Sequence, residues 1–323
     1  MPEAAMVSET KTRYSGILFI GDPHVAASPP GHRLDDYAST ILEKLSFCIG
    51  IAIERNCLPI ILGDLFHLPR NNPNHLLVDL IELFRKAKPW VLVGNHDKHE
   101  ARLTRDVSLS VIAAAGVIKL ISAPGPVSSM TIQGRRVLLG ASPDWTPIPK
   151  SFEKGEHDFV IWITHHDLAF PDYENGRFHL KEVPGVDLIV NGHIHTPKPP
   201  QQCGTTTWYN PGSIVRITRG LHTKAIRPSI SLWQPSMEIL ETIEVPHKDF
   251  DEVFPPISEN EDSGTIEGLD ESRFIKGLEN LSLRRTTEGV GLKTFLEVNL
   301  IMNDPVDGII WELYNEVMED GKE

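Results

Sequence analysis

Apolar residues along this chain come in short blocks, and each early block ends in a polar turn. Residues 17–22 (ILFIGD) read as a strand closing on Gly-Asp, and residues 58–64 (LPIILGD) repeat the arrangement. Residues 90–97 (WVLVGNHD) make a third such block. Between them the apolar positions recur at helical spacing. Over 35–56 they are Ile41, Leu42, Leu45, Cys48, Ile49, Ala52 and Ile53, and over 74–88 they are Leu76, Leu77, Leu80, Ile81 and Phe84. Strands alternating with helices predict parallel βαβ units. Beyond Val117 the pattern changes to short strands, predicted over 127–133, 136–141, 159–165, 187–195, 205–209, 229–233 and 238–245, with few long helices. The chain is expected to start parallel and finish as a mixed or antiparallel sheet, two packed sheets carrying helices outside. Residues 254–264, rich in Pro, Glu, Asp, Ser and Gly, read as a linker. Helices over 271–281 and 307–318 around a strand over 293–301 then predict a small α+β appendage.

Length and charge agree with this division. A chain of 323 residues suits one large α/β core, 1–247, followed by an acidic region, 248–323, that serves as linker and as a small cap or docking element. Of the formal net charge of −13, −12 lies in that second region, where 19 acidic residues stand against 7 basic ones. The core is therefore near neutral, which argues against a broad cationic face for non-specific nucleic-acid binding but leaves room for a local basic rim. The 40% hydrophobic content excludes general disorder. Stretches such as 107–118 fall short of the roughly 18 apolar residues that span a bilayer, and 17–20 is too short for a signal-peptide core, so no membrane is expected. Cys48, Cys57 and Cys203 are odd in number and contain no C-x-x-C pair, which speaks against a cysteine-bound zinc and fits a reducing cytoplasm.

The chemistry-bearing residues sit where the predicted strands end. The clusters are Asp22-Pro-His24, Gly63-Asp64-Leu-Phe-His67, Gly94-Asn95-His96-Asp97, Thr164-His165-His166 and Gly192-His193-Ile-His195. Taken singly, each has an ordinary explanation, since Gly, Asp and Asn favour turns. Five of them at strand ends in one chain are poorly explained that way. In an open α/β sheet the strand C-termini share one edge, where ligands bind. Asp, Asn and His donors in such number suit two metal ions rather than one. Their chemistry favours manganese, iron or zinc over calcium. Two such ions about 3.5–4 Å apart clamp a phosphoryl group and acidify the water between them to a pKa of about 7.

The ordered set Asp-x-His, Gly-Asp, Gly-Asn-His-Asp, strand-end His and Gly-His-x-His resembles the calcineurin-like metallophosphoesterase superfamily over roughly residues 17–215. The resemblance implies a four-layer α/β/β/α sandwich with a two-metal centre. It implies Asp22, His24 and His195 on the first metal, Asn95, His165 and His193 on the second, and Asp64 bridging both. A metal-bridging hydroxide would attack phosphorus in line, with His96 contacting the scissile phosphate as general acid or charge stabiliser. The string GDLFH places His67 where many members carry Asp. In this it resembles the SbcD-type nuclease subunit of the double-strand-break repair complex, where the corresponding His supports the one matching His96. GHIHTP at 192–197 and NPGS at 210–213 also fit that group but recur in small phosphodiesterases of the superfamily.

The expectation is thus a manganese-dependent DNA exonuclease or endonuclease; the alternative is a phosphoesterase for small cyclic or dinucleoside nucleotides or for phosphoproteins. Lys98 and Arg216 are the candidate substrate-binding cations. His99, Arg102, Arg105 and Arg219 complete the basic rim, although a solvated face explains Arg102 and Arg105 as well. Trp145, Trp208 and Tyr209 could stack on bases, with core packing the commoner role of such rings. The resemblance implies DNA as a partner, with an SMC-like ATPase subunit and a second copy of the chain as further candidates; the apolar face of 307–318 could dock on such a partner or equally pack on its own core.

Overall fold

The computed structural model describes residues 14–174, 176–236 and 240–257. All of them fall in the first of two units into which the chain divides, Met1–Asp262. The elements expected over 271–281, 293–301 and 307–318, and most of the linker, lie outside the described residues.

The first half keeps the strand–helix rhythm: β1 (Gly16–Ile20), α1 (Tyr37–Glu54), β2 (Cys57–Ile61), α2 (Asn74–Phe84), β3 (Trp90–Leu92), α3 (Ser108–Ala114) and β4 (Lys119–Ile121). Helix α1 opens where the Asp36 carboxylate accepts the Ser39 N–H at 3.3 Å, a side-chain cap for an otherwise orphaned donor. Just beyond it, Asn56 takes a left-handed φ of 50° and turns the chain into β2. The second half contains β5 (Gly125–Ile132), β6 (Arg135–Ser142), β7 (Phe159–Thr164), β8 (Leu168–Ala169), β9 (Phe178–His179) and β10 (Leu188–Asn191). There follow β11 (Lys198–Cys203), β12 (Thr206–Asn210), α4 (Leu221–Ala225), β13 (Ser229–Trp233), β14 (Glu241–Glu244) and α5 (Phe250–Val253).

Two six-stranded sheets result, in the orders β14-β13-β1-β2-β3-β4 and β11-β12-β10-β7-β6-β5. Both are mixed, and both have a parallel centre: β1 to β4 in the first, β12, β10, β7 and β6 in the second. Antiparallel pairing in the second sheet is confined to its edge strands β5 and β11. So the second half is mixed with a parallel core, although among the described residues its crossovers carry no long helix.

Period-two burial assigns each strand's residues to layers. In β1, Leu18 and Ile20 join α1 and α2 in one core cluster, whereas Ile17 and Phe19 face the second sheet. In β7, Ile161 and Ile163 return that contact, and Val160 and Trp162 face outward. Helices α1 to α3 cover the outer face of the first sheet. The outer face of the second is covered by Leu168, Phe170, Val183, Val186 and Ile194. Among the described residues no helix contributes there, so this side of the sandwich is closed by loops and the short β8–β9 pair. With parallel strands in both sheets, two sets of strand C-termini lie at the disposal of one site.

Candidate active site

The loops leaving β1, β2 and β3 and those leaving β7 and β10 bring all seven candidate metal ligands together. The backbone bends hard to achieve it. Asp22, His24, Asp64 and His193 all have left-handed φ, at 39°, 47°, 47° and 74°. Such conformations cost of order 1–3 kcal/mol each and persist only where surrounding structure imposes them. Two glycines admit the crowding. A Cβ on Gly94 would lie 2.1 Å from Asp64 Oδ1, and one on Gly63, itself at φ 112°, would lie 2.2 Å from His165 Nδ1.

Donor atoms gather in two carboxylate-bearing groups, Asp22–His24–His195 and Asp64–His165–His193, and in a third made of imidazoles alone, His24–His67–His96, each with one ligand atom per residue within 4.8 Å of the others. Asn95 completes the second: its Oδ1 lies 3.0 Å from His165 Nε2 and 2.9 Å from His193 Nδ1. Asp64 faces both carboxylate-bearing groups. Its Oδ2 is 3.3 Å from His165 Nε2 and 3.7 Å from His24 Nε2, while its Oδ1 accepts the His96 N–H at 2.8 Å. Other contacts fix the ligands from behind. His165 Nδ1 donates to the Leu62 carbonyl at 2.8 Å, which turns the Nε2 lone pair inward. The His193 N–H donates to Asp22 Oδ1 at 2.8 Å, and Ser213 Oγ donates to the Asp22 carbonyl at 2.8 Å.

Whether these residues fit metal ions can be judged from what the packing leaves unresolved. Asp22 Oδ2 is buried with no hydrogen-bond partner. The Nε2 atoms of His24 and His195 meet at 2.9 Å, although between two imidazoles only one proton can be shared. Burial pushes the Asp22 carboxyl up to about 7, with the Asp64 charge adding to it. Burial opposes a charge on His165 too, but Asp64 and Asp22 outweigh it and raise that imidazole to about 10. Burial works against Asp64 as well, yet His165 and His96 hold its carboxyl well below the ordinary range. His24 goes the other way: burial and the neighbouring His195 and His96 keep it neutral. The protein takes up protons where cations would satisfy the same lone pairs, and the donor set of imidazole, carboxylate and amide oxygen fits two divalent ions.

His96 and His67 stand beside this cluster. Their rings stack at 5.5 Å and 18°, and His24 packs edge-on against His96 at 4.9 Å. His96 Nδ1 donates to the His67 carbonyl at 2.8 Å, so the support passes through backbone as well as ring. Burial, with the His96 charge beside it, lowers His67 to about 4. The two expected substrate-binding cations are engaged elsewhere. Lys98 forms an ion pair with Asp144 at 2.6 Å, both side chains nearly buried. Arg216 is buried and donates to the Lys248 carbonyl at 2.6 Å. Arg102 and Arg105 are exposed on a loop before α3 rather than on a helix, and Arg219 donates to the Pro255 carbonyl at 3.1 Å. Trp208 and Tyr209 belong to the core clusters, whereas Trp145 is exposed.

Several supporting residues carry little sequence signal. The Asp97 carboxylate is buried and accepts the N–H groups of Gly94 at 3.0 Å and Phe66 at 3.2 Å, tying the β2 and β3 exits together. Asn191, at the end of β10, accepts from Thr164 Oγ1 at 2.7 Å and from the His166 N–H at 3.0 Å. An Asn one residue before Gly-His-x-His could have been suspected of this. Nothing in the sequence distinguishes Asp144.

Residues 16–197, more than half of the chain, match the family model of calcineurin-like phosphoesterases. Among solved structures, a 5′-nucleotidase precursor from Thermus thermophilus is similar at 14% identity, over 67% of this chain and 50% of its own, with a TM-score of 0.40. An NAD nucleotidase from Haemophilus influenzae is similar at 13% identity, over 96% of this chain and 61% of its own, with a TM-score of 0.42. A hypothetical protein, also from Thermus thermophilus, is similar at 14% identity, over 72% of this chain and 100% of its own, with a TM-score of 0.40. The chain thus spans between half and two thirds of the length of the two nucleotidases. No curated protein matches it.

Proposed function

The chain belongs to the calcineurin-like phosphoesterase family, and from that premise we propose that it is a two-metal phosphodiesterase of the SbcD type acting on DNA. The observation that carries the site assignment is Asp64, whose Oδ2 faces both donor groups. In this reading Asp22, His24 and His195 would hold one ion, Asn95, His165 and His193 the other, and Asp64 would serve both. The family works with a pair of divalent ions. When bound, they supply Lewis acidity at the phosphoryl oxygens and a nucleophile at neutral pH.

The rest of the chemistry falls to side chains. His96 has its Nδ1 occupied by the His67 carbonyl, so Nε2 is the atom that carries a proton to the leaving oxygen. His67, stacked on that ring and neutral at working pH, keeps His96 from rotating without adding a repelling charge. This is a positioning role. The His67–His96 pair is what supports DNA and the SbcD type, and it is the resemblance to that type, with a donor set that also suits iron or zinc, that puts manganese first. A second reading, hydrolysis of small nucleotides, is favoured by a different observation: Lys98 and Arg216 are paired within the protein instead of offered to a phosphate backbone.

Metal-loaded protein incubated with single- and double-stranded DNA, cyclic nucleotides, mononucleotides and bis-p-nitrophenyl phosphate separates the two. Release of nucleotides from DNA well above the rate on small esters is expected. Turnover of small nucleotides with intact DNA overturns the nuclease reading in favour of the second. Inertness towards every phosphoester overturns both.

A further inference from the structure

One aromatic residue beside the metal-ligand loops is placed where folding alone gives no reason for it. Trp145 is 56% exposed and its backbone is left-handed, with φ at 65°. A bulky residue rarely adopts that conformation, and an exposed indole contributes little burial in return.

The turn that carries it is pinned on both sides to ligand-bearing loops. Before it, the Asp144 N–H donates to the Val93 carbonyl at 3.1 Å, and the Asp144 carboxylate holds Lys98, two residues after His96. After it, the Thr146 carbonyl accepts from His166 Nε2 at 2.7 Å, and His166 adjoins His165. The turn is closed on itself by the Thr146 N–H donating to the Pro143 carbonyl at 3.0 Å. Trp145 is thus a fixed projection.

A second group meets it there. The Arg177 guanidinium lies over the indole at 5.6 Å from its centroid. Arg177 enters β9, whose Phe178 is 48% exposed and packs edge-on against the His166 ring at 5.3 Å. The Phe178 N–H also donates to the Asp167 carbonyl at 3.0 Å. Indole and guanidinium therefore form one exposed pair, and that pair and the neighbouring Phe178 are anchored to the residues flanking His165 and His96.

We propose that Trp145 and Arg177 form a stacking subsite for a nucleobase of the substrate, Trp145 offering the ring face and Arg177 a planar cation beside it. A base has two π-faces and stacks on indole or guanidinium whatever its sequence. A rigid projection beside the phosphate-cleaving centre holds a base while the adjoining phosphate reaches the metals. A phosphoprotein offers no planar base for such a platform. The inference rests on the phosphoesterase reading for the identity of the site, and deepens it by requiring a base-bearing substrate.

The test compares the parent with Trp145→Ala, Trp145→Phe and Arg177→Ala. Hydrolysis is measured on an oligothymidylate and on its abasic counterpart, and on adenosine monophosphate and ribose 5-phosphate. The polymer and monomer pairs distinguish DNA from free nucleotide as the source of the base. Binding of the two oligomers is measured separately by fluorescence anisotropy, which needs no turnover. Trp145→Ala is expected to lower kcat/KM on the base-bearing member of whichever pair is cleaved by about 5–100-fold, the range of one lost stack. It leaves the base-free member within about twofold, and Trp145→Phe, which keeps a ring face, retains most of the parent's rate on the base-bearing member. Oligothymidylate binding should exceed abasic binding in the parent and equal it in Trp145→Ala. Equal losses on base-bearing and base-free partners, or no loss on either, overturn the subsite. If no phosphoester is cleaved, the hydrolase reading fails by itself. The anisotropy comparison then decides the subsite, and a base preference unaltered by Trp145→Ala, or none in the parent, overturns it.

Discussion

Asp64 divides its two oxygens between tasks, Oδ1 holding the His96 amide and Oδ2 facing both donor groups. Asp64→Ala should therefore lose both ions and all turnover together, and elemental analysis showing two ions retained would refute the bridging role. His96→Ala should keep both ions and lose turnover by about 10²–10⁴-fold, as expected for a general acid. Protons compete with the metal at these residues. Asp22, raised to about 7, and His165, raised to about 10, hold protons near neutrality that a cation must displace. Metal affinity should then rise between about pH 6 and pH 8, because binding releases protons whose retention weakens as pH climbs. Manganese titrations giving the same affinity at both ends would contradict this. The ligands were legible in the sequence because each stands at a strand exit beside a turn-forming residue. Lys98 and Arg216 were legible only as charges: their partners Asp144 and the Lys248 carbonyl are distant in sequence, and no local pattern announces them.

Elements set how closely those exits approach. Gly94 leaves β3 with Asp64 where its side chain would be, 2.1 Å from Oδ1 and 2.3 Å from the backbone nitrogen, so Gly94→Ala displaces both the carboxylate and the chain that leaves β2. That variant should fold but bind metal at least about tenfold more weakly, a 1.4 kcal/mol loss, and unchanged metal content after dialysis would show that the contact is slack. Helix α1 offers a stability test of another kind. Lys44 lies buried on its inner face, donates to the Pro246 carbonyl at 2.9 Å, and is lowered by burial to about 8. Unfolded lysine titrates near about 10.4. Between those values the unfolded chain binds the extra proton, so stability rises with pH, by at most about 1.4 kcal/mol per pH unit. Denaturant melts from pH 8 to 10 should show the parent gaining on Lys44→Met; parallel curves would mean that the ammonium is solvated in the fold. Strands and helices with strong periodicity, α1, α2, β1, β2 and β7, were foreseeable. Four strands were not: β4 has three residues, β8 and β9 have two each, and β11 contains Pro199 and Pro200. Prolines are tolerated there because β11 is an edge strand with a register shift between Lys198 and Gln201.

At the scale of the molecule, the candidate centre joins two sheets. Its donors run from Asp22 after β1 to His195 after β10, and the two sheets otherwise meet through the apolar layer of Phe19, Ile60, Leu139 and Ile163. In the unfolded chain those donors are far apart, so ions bind the folded state and stabilise it by mass action. Ions present at about 100 to 1,000 times their dissociation constant contribute about 2.7–4.1 kcal/mol. For a folded unit of this size that corresponds to a rise in Tm of about 5–15 °C. Protein stripped with chelator and reloaded with manganese should show that rise in calorimetry. Asp64→Ala, which keeps the apolar layer and loses the shared ligand, should not. A rise of the same size in Asp64→Ala would place the stabilising ion away from this cluster. The absence of any rise in the parent, with metal content confirmed, would mean that the sheets are already fixed by packing and that the strained exits of Asp22, His24, Asp64 and His193 cost the fold nothing that an ion relieves.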